Sequence, residues 1–116
     1  MAITVLYTQT ALSVSGTELS VVSGTSSLQA DTTDGVYQMW LDPVASMVKT
    51  NILQIRIYEK VRASGTQRVV MQDTLLGVQS QAWCSPALVL MHGWDFTLKM
   101  ISGSTITFDC QVRQLS

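Results

Sequence analysis

Cys84, His92 and Asp95 are the residues that come nearest to a nucleophile, a base and an orienting acid. A reactive thiol needs a base within hydrogen-bond reach and an electropositive setting. Cys84 instead follows Trp83, precedes Ser85-Pro86 and has no basic neighbour, so the three predict no catalysis. His92, beside Gly93, reads as a turn residue whose ring bonds to the backbone, and Trp94 as a core or interface anchor. Asp31 and Asp34 flank two threonines, and Asp-Thr-Thr-Asp-Gly lacks the bidentate acid that completes a calcium cage. Two cysteines 26 positions apart and one histidine make no zinc pattern. No phosphate-binding glycine loop or metalloprotease motif occurs. The expectation is therefore no catalytic residue, no metal and no cofactor. Tyr7, Tyr37, Trp40, Tyr58, Trp83 and Trp94 could serve a glycan site, although only Tyr58 has clear outward parity.

Charge narrows the partners. Charged residues make up 13% of the chain, against about 25% in a typical domain, and Ser, Thr and Gln fill the difference. Such a surface suits packing against partners, because few charges need desolvating. The net charge of −1 argues against nucleic acid, whose binding needs a basic face. Acids dominate residues 1–50 and bases dominate residues 51–116. No basic n-region leads into an apolar run, and no run approaches the roughly 18 apolar residues of a membrane span, so neither a secretory leader nor a membrane partner is expected. In a cytosolic product both cysteines should be free, and Cys110 shares the apolar parity of Ile106, Phe108 and Val112.

The elements that would hold any site alternate with period two. Leu53, Ile55, Ile57 and Val61 share one parity, and Gln54, Arg56, Tyr58, Lys60 and Arg62 the other. That is a half-buried strand. Val69, Met71 and Leu75 resume the apolar parity after Ser64-Gly65-Thr66. A three-residue loop there predicts a hairpin over 52–76, sets Arg62 opposite Arg68, and turns Glu59 inward unless a bulge or an arginine relieves it.

Ile3 to Thr8 reads as a first strand or an extended arm. Leu12-Ser13-Val14-Ser15 and Glu18-Leu19-Ser20-Val21 predict a tight hairpin about Gly16-Thr17, pairing Val14 with Leu19 and Leu12 with Val21. Ser23 to Gly35 reads as a long surface loop and Val36 to Leu41 as a strand. Asp42-Pro43 predicts a short helical turn over 43–49. Pro86 breaks a strand within 80–90. Phe96, Leu98 and Met100 lead through Gly103-Ser104 into Thr105 to Gln114, a second predicted hairpin. The result is one all-β domain of seven or eight antiparallel strands, a sandwich or barrel. It divides into an N-terminal arm, hairpin and loop (1–35) and a β-sandwich body (36–116).

The strings Ile57-Tyr58-Glu59-Lys60-Val61, Gly65-Thr66-Gln67-Arg68-Val69, His92-Gly93-Trp94-Asp95-Phe96-Thr97-Leu98-Lys99 and Phe108-Asp109-Cys110-Gln111-Val112-Arg113 resemble a family of small tailed-bacteriophage virion proteins, the capsid cement or head-decoration proteins. The resemblance covers roughly residues 36–116. It implies a jelly-roll-like β-sandwich, a homotrimer, the major capsid protein as partner, and a place on the capsid exterior after assembly in the host cytoplasm. The residues expected to meet a partner are Ala2, Ile3, Thr4, Val5 and Leu28, from segments too poor in apolar residues to fold alone, and Arg62 and Arg68, which suit an acidic surface. A glycan-binding module and a tail or baseplate subunit are the alternative readings.

Overall fold

Nine strands form among the described residues, 2–115 of a computed structural model. Met1 and Ser116, the outer limits of the expected arm and body, lie outside them. The strands are β1 (Ile3–Val14), β2 (Leu19–Ser20), β3 (Gly35–Asp42), β4 (Ile52–Lys60), β5 (Gln67–Leu76), β6 (Trp83–Cys84), β7 (Leu88–Leu90), β8 (Asp95–Ser102) and β9 (Ile106–Leu115). All pairings are antiparallel. One sheet runs β1-β9-β3, with β6 and β7 end to end along the far edge of β3. The other runs β2-β8-β4-β5.

The split between β6 and β7 comes from Pro86. Where proline ends the ladder, Ser85 takes over: its N–H donates to Met39 O (2.9 Å), and its hydroxyl accepts from Met39 N–H (3.0 Å). The strand or two expected within 80–90 are thus two short ones, before and after Pro86.

The inner faces of the two sheets share one core. Leu53, Ile55 and Ile57 lie opposite Met100, Leu98 and Phe96 within their sheet. Facing them are Tyr37, Met39, Leu41, Phe108, Cys110 and Val112, all nearly or fully buried. Trp94 is completely buried, with its ring centroid 4.4 Å from that of Tyr37 and 5.7 Å from that of Phe96. The sandwich is stitched along both sides. Gln9 Nε2 donates to Val21 O (2.9 Å) on one side, and Trp83 Nε1 to Asp73 Oδ2 (2.7 Å) on the other.

Two of the predicted hairpins are instead connections between the sheets. Gly103-Ser104 is a corner between sheets: β8 pairs with β2 and β4, whereas β9 pairs with β1 and β3. Stacking the two apolar faces buries each against the other, which side-by-side pairing cannot do. Asn51, fully buried, holds this corner by donating from Nδ2 to Ser104 O (3.3 Å). Likewise Gly16-Thr17 carries the chain from β1 in one sheet to β2 in the other. Val14 pairs with Ile106 and Leu12 with Phe108, not with Leu19 and Val21, although all four still meet the core.

The β4–β5 hairpin forms with a different register from the expected one. Strand pairing stops at Lys60–Gln67, the loop spans 61–66, and Val70 is bulged out between Met71 and Val69. Arg68 therefore opposes Glu59, and Arg62 lies in the loop. Val61 (89% exposed) and Val69 (41% exposed) leave the apolar face. Glu59 finds backbone donors: Met91 N–H (2.6 Å) and His92 N–H (3.0 Å) both reach Oε2.

Residues 43–49 form turns, not an assigned helix. Asp42 Oδ1 accepts from Val44 N–H (3.1 Å), and Met47 N–H reaches Pro43 O (3.2 Å). Ile3 to Gln9 is not a loose arm but part of β1, paired with β9 along its length.

Candidate functional site

The residues expected to meet a partner come from three distant parts of the sequence, and the topology gathers them at one end of the sandwich. Ile3 pairs with Leu115, Leu115 with Val36, and neighbouring Gly35 with Leu90. The next residue, Met91, donates to Glu59, which lies opposite Arg68. Gln67 Nε2 then donates to Gln29 O (2.7 Å) and Gly93 O (2.8 Å), drawing in the 23–34 loop. Ala2, Arg62 and Arg68 are exposed at this end, as is Leu28 in the loop. Ile3 (64% exposed) and Val5 (50%) point outward, and Thr4 pairs with Gln114.

This end carries an apolar row that parity alone does not reveal. Ile3, Leu115, Val36 and Val89 are consecutive cross-strand neighbours on the outer face of β1, β9, β3 and β7. Val89 is 75% exposed, and Leu115 and Val36 are half-buried. Val5 adjoins the row one step along β1. The signal was present in the outward parity of Leu115 beside Phe108, Cys110 and Val112. Its neighbours belong to strands far away in sequence.

The 23–34 loop is ordered by this chain's own groups. Asp95 is fully buried beneath it. Its Oδ1 accepts from Ser20 Oγ–H (2.8 Å) and Phe96 N–H (2.8 Å), and its Oδ2 from Gln29 N–H (2.8 Å). Burial outweighs these bonds and pushes the carboxyl up to about 6. Asp31 forms a bridge with Trp94, and its Oδ2 accepts from the Tyr7 hydroxyl. Burial, then this bond, push the Tyr7 phenol up to about 12.

Cys84, His92 and Asp95 do not converge. Cys84 pairs with Trp40, and the strand leading to His92 pairs with Gly35 to Tyr37, so several residues of β3 separate them. Asp95 lies in the other sheet. Main-chain groups of His92 accept from Lys60 N–H and donate to Glu59. Tyr58 points outward as expected but is only 9% exposed, because its hydroxyl donates to Glu18 Oε2 (2.8 Å), which also accepts from Thr97 Oγ1. It offers no open stacking face.

A concavity lies further along the same outer face, towards Asp42. It is a cleft of about 630 Å³. Trp40, Gln111 and Thr8 line it across β3, β9 and β1, Arg113 borders it on one side, and Asp42 and Asp109 on the other. The Arg113 guanidinium lies 4.5 Å from the Trp40 ring centroid, and its Nε donates to Gln111 Oε1 (3.0 Å). Among the described residues no group of three His, Cys, Asp or Glu is placed to hold a metal ion, and no helix is long and apolar enough to cross a membrane. No family model, curated protein or solved structure matches the chain.

Proposed function

We propose that this is a structural virion protein, a capsid cement protein that stabilises a tailed-phage head by bridging major capsid subunits from the outside. The observation that carries the reading is the exposed apolar row Ile3–Leu115–Val36–Val89, flanked at the same end by Leu28, Arg62 and Arg68. Contiguous apolar surface at one end of a weakly charged domain favours burial against a protein partner.

Strand order adds support. With β6 and β7 taken as one strand broken at Pro86, successive strands alternate between sheets except at the β4–β5 hairpin. We read that order as a jelly roll, an architecture used by viral capsid domains among others. The resemblance of residues 36–116 to head-decoration proteins points the same way, and with it comes a homotrimer. Many symmetric copies make individually modest contacts effective.

The test adds purified protein to heads lacking it and measures occupancy and thermal rupture temperature. The expected result is saturable binding with a higher rupture temperature, abolished by Val89→Asp, whose side chain lies outside the core. Heads that bind no protein, or bind it without gaining heat resistance, overturn the cement role. Co-purification with tails instead of heads assigns the protein to the tail.

A further inference from the structure

We infer that the cleft between Trp40 and the Asp42–Asp109 pair is a binding site for a neutral saccharide unit. The inference goes beyond the cement role and rests on the cleft alone. Its volume, about 630 Å³, falls in the range of small-ligand sites. It is open to solvent along a sheet face, as a site for one part of a longer chain must be.

The lining specifies the ligand chemistry. Asp42 and Asp109 are direct cross-strand neighbours. Like charges so placed repel. Each already uses Oδ1 on backbone: Asp42 accepts from Val44 N–H, and Asp109 from Ala11 N–H (2.8 Å). The second oxygen of each has no partner among the described residues. Two acceptors therefore border the cleft on one side.

On the other side is a donor. Arg113 uses only Nε on Gln111, so its terminal nitrogens remain available among the described residues. An anion meets the two aspartates and a cation meets Arg113. A neutral polyol suits both, because each hydroxyl can donate to a carboxylate and accept from a guanidinium. Trp40 supplies apolar surface for sugar C–H groups on the part of its ring that the Arg113 guanidinium, 4.5 Å from the centroid, leaves uncovered. Its indole N–H is buried without a partner among the described residues.

The backbone beside the cleft is also unusual. β1 is bulged between Gln9 and Leu12, and Ala11 has a φ of 53°. Such a conformation is costly for a residue with a Cβ. The bulge sets Thr10 on the cleft rim and aims the Ala11 N–H at Asp109. Bulges recur where a strand must re-aim groups at a site.

The experiment follows the three indole N–H resonances by NMR while neutral mono- and disaccharides, acetate and lysine methyl ester are each titrated to tens of millimolar. At least one saccharide should shift the Trp40 signal saturably and leave that of buried Trp94 in place. Asp42→Asn and Asp109→Asn, checked for native thermal unfolding, should each weaken binding about tenfold, the worth of one hydrogen bond to a charged group. Val89→Asp should leave binding unchanged, which separates this site from the capsid-facing row. The inference is overturned if no saccharide shifts Trp40 saturably, if acetate or the lysine ester binds as well, or if both cleft variants bind as the wild type does.

Discussion

Replacing Asp95 by asparagine should change the pH dependence of folding more than its overall scale. In the native state the Asp95 carboxyl keeps its proton up to about pH 6, whereas in the unfolded chain it titrates at its ordinary 3.8. Between these values the native state binds more protons, so stability falls as pH rises through the window. The gap amounts to about 3 kcal/mol at roughly 1.4 kcal/mol per tenfold change in proton affinity. Asparagine keeps the shape and removes the titration. Its Nδ2 group would face the Gln29 N–H that Oδ2 now accepts, leaving a buried donor unmatched at a cost of about 1–3 kcal/mol. The wild type should thus lead the variant near pH 4, and the lead should shrink or reverse by pH 7. Urea unfolding of both proteins at half-unit steps from pH 4 to 7 gives the difference directly, with the titration of other acids cancelling. A difference that stays flat or grows with pH refutes the argument.

Phe108→Ala should lower unfolding stability by about 3–5 kcal/mol, measured by urea titration, because Phe108 is 1% exposed at the centre of the core. Cys84 should react with a thiol reagent in the native protein, and Cys110 only on unfolding: Cys110 is 4% exposed, and burial, with a smaller effect of Asp109, pushes its thiol up to about 12. Gly103→Ala should cost on the order of 2 kcal/mol or more in the same titration. Gly103 has a φ of 94°, and a Cβ there would stand 2.3 Å from Asn51 Nδ2, displacing the side chain that holds the β8–β9 corner.

Period-two alternation revealed individual strands because facing the core is a local property. Leu53, Ile55 and Ile57, and equally Phe108, Cys110 and Val112, are buried as their parity requires. Partner choice is not local. Phe96–Met100 and Ile106–Val112 have the same pattern whether they lie side by side or face to face, and only the opposing sheet decides between them. The hairpin shows a second limit: the extra residue at Val70 turned Val69 outward, and a loop of residues 61–66 instead of 64–66 set Arg68 opposite Glu59 and not Arg62. Asp95 had outward parity, but the loop that buries it comes from residues 20–29. Ile3, Val5, Leu28, Arg62 and Arg68, the residues proposed to face a partner, are exposed. The row that Val36, Val89 and Leu115 add, and the cleft formed by Trp40, Asp42, Asp109 and Arg113, required knowing that β9 lies between β1 and β3.

That position of β9 governs the order in which the molecule can be made. Among the described residues, β1 has no hydrogen-bonded neighbour in its sheet except β9, which follows it by about 100 residues. At about 5–20 residues per second, a ribosome takes roughly 5–20 s to supply the partner. Until then an emerging β1 presents two unpaired edges, and β3 has only the short β6 and β7 to pair with. The β4–β5 hairpin alone can close early from neighbouring sequence. Ile3 and Val5 are therefore exposed to other nascent copies before they are held in place, and a chaperone that binds extended apolar segments would meet this chain first at its N-terminal strand.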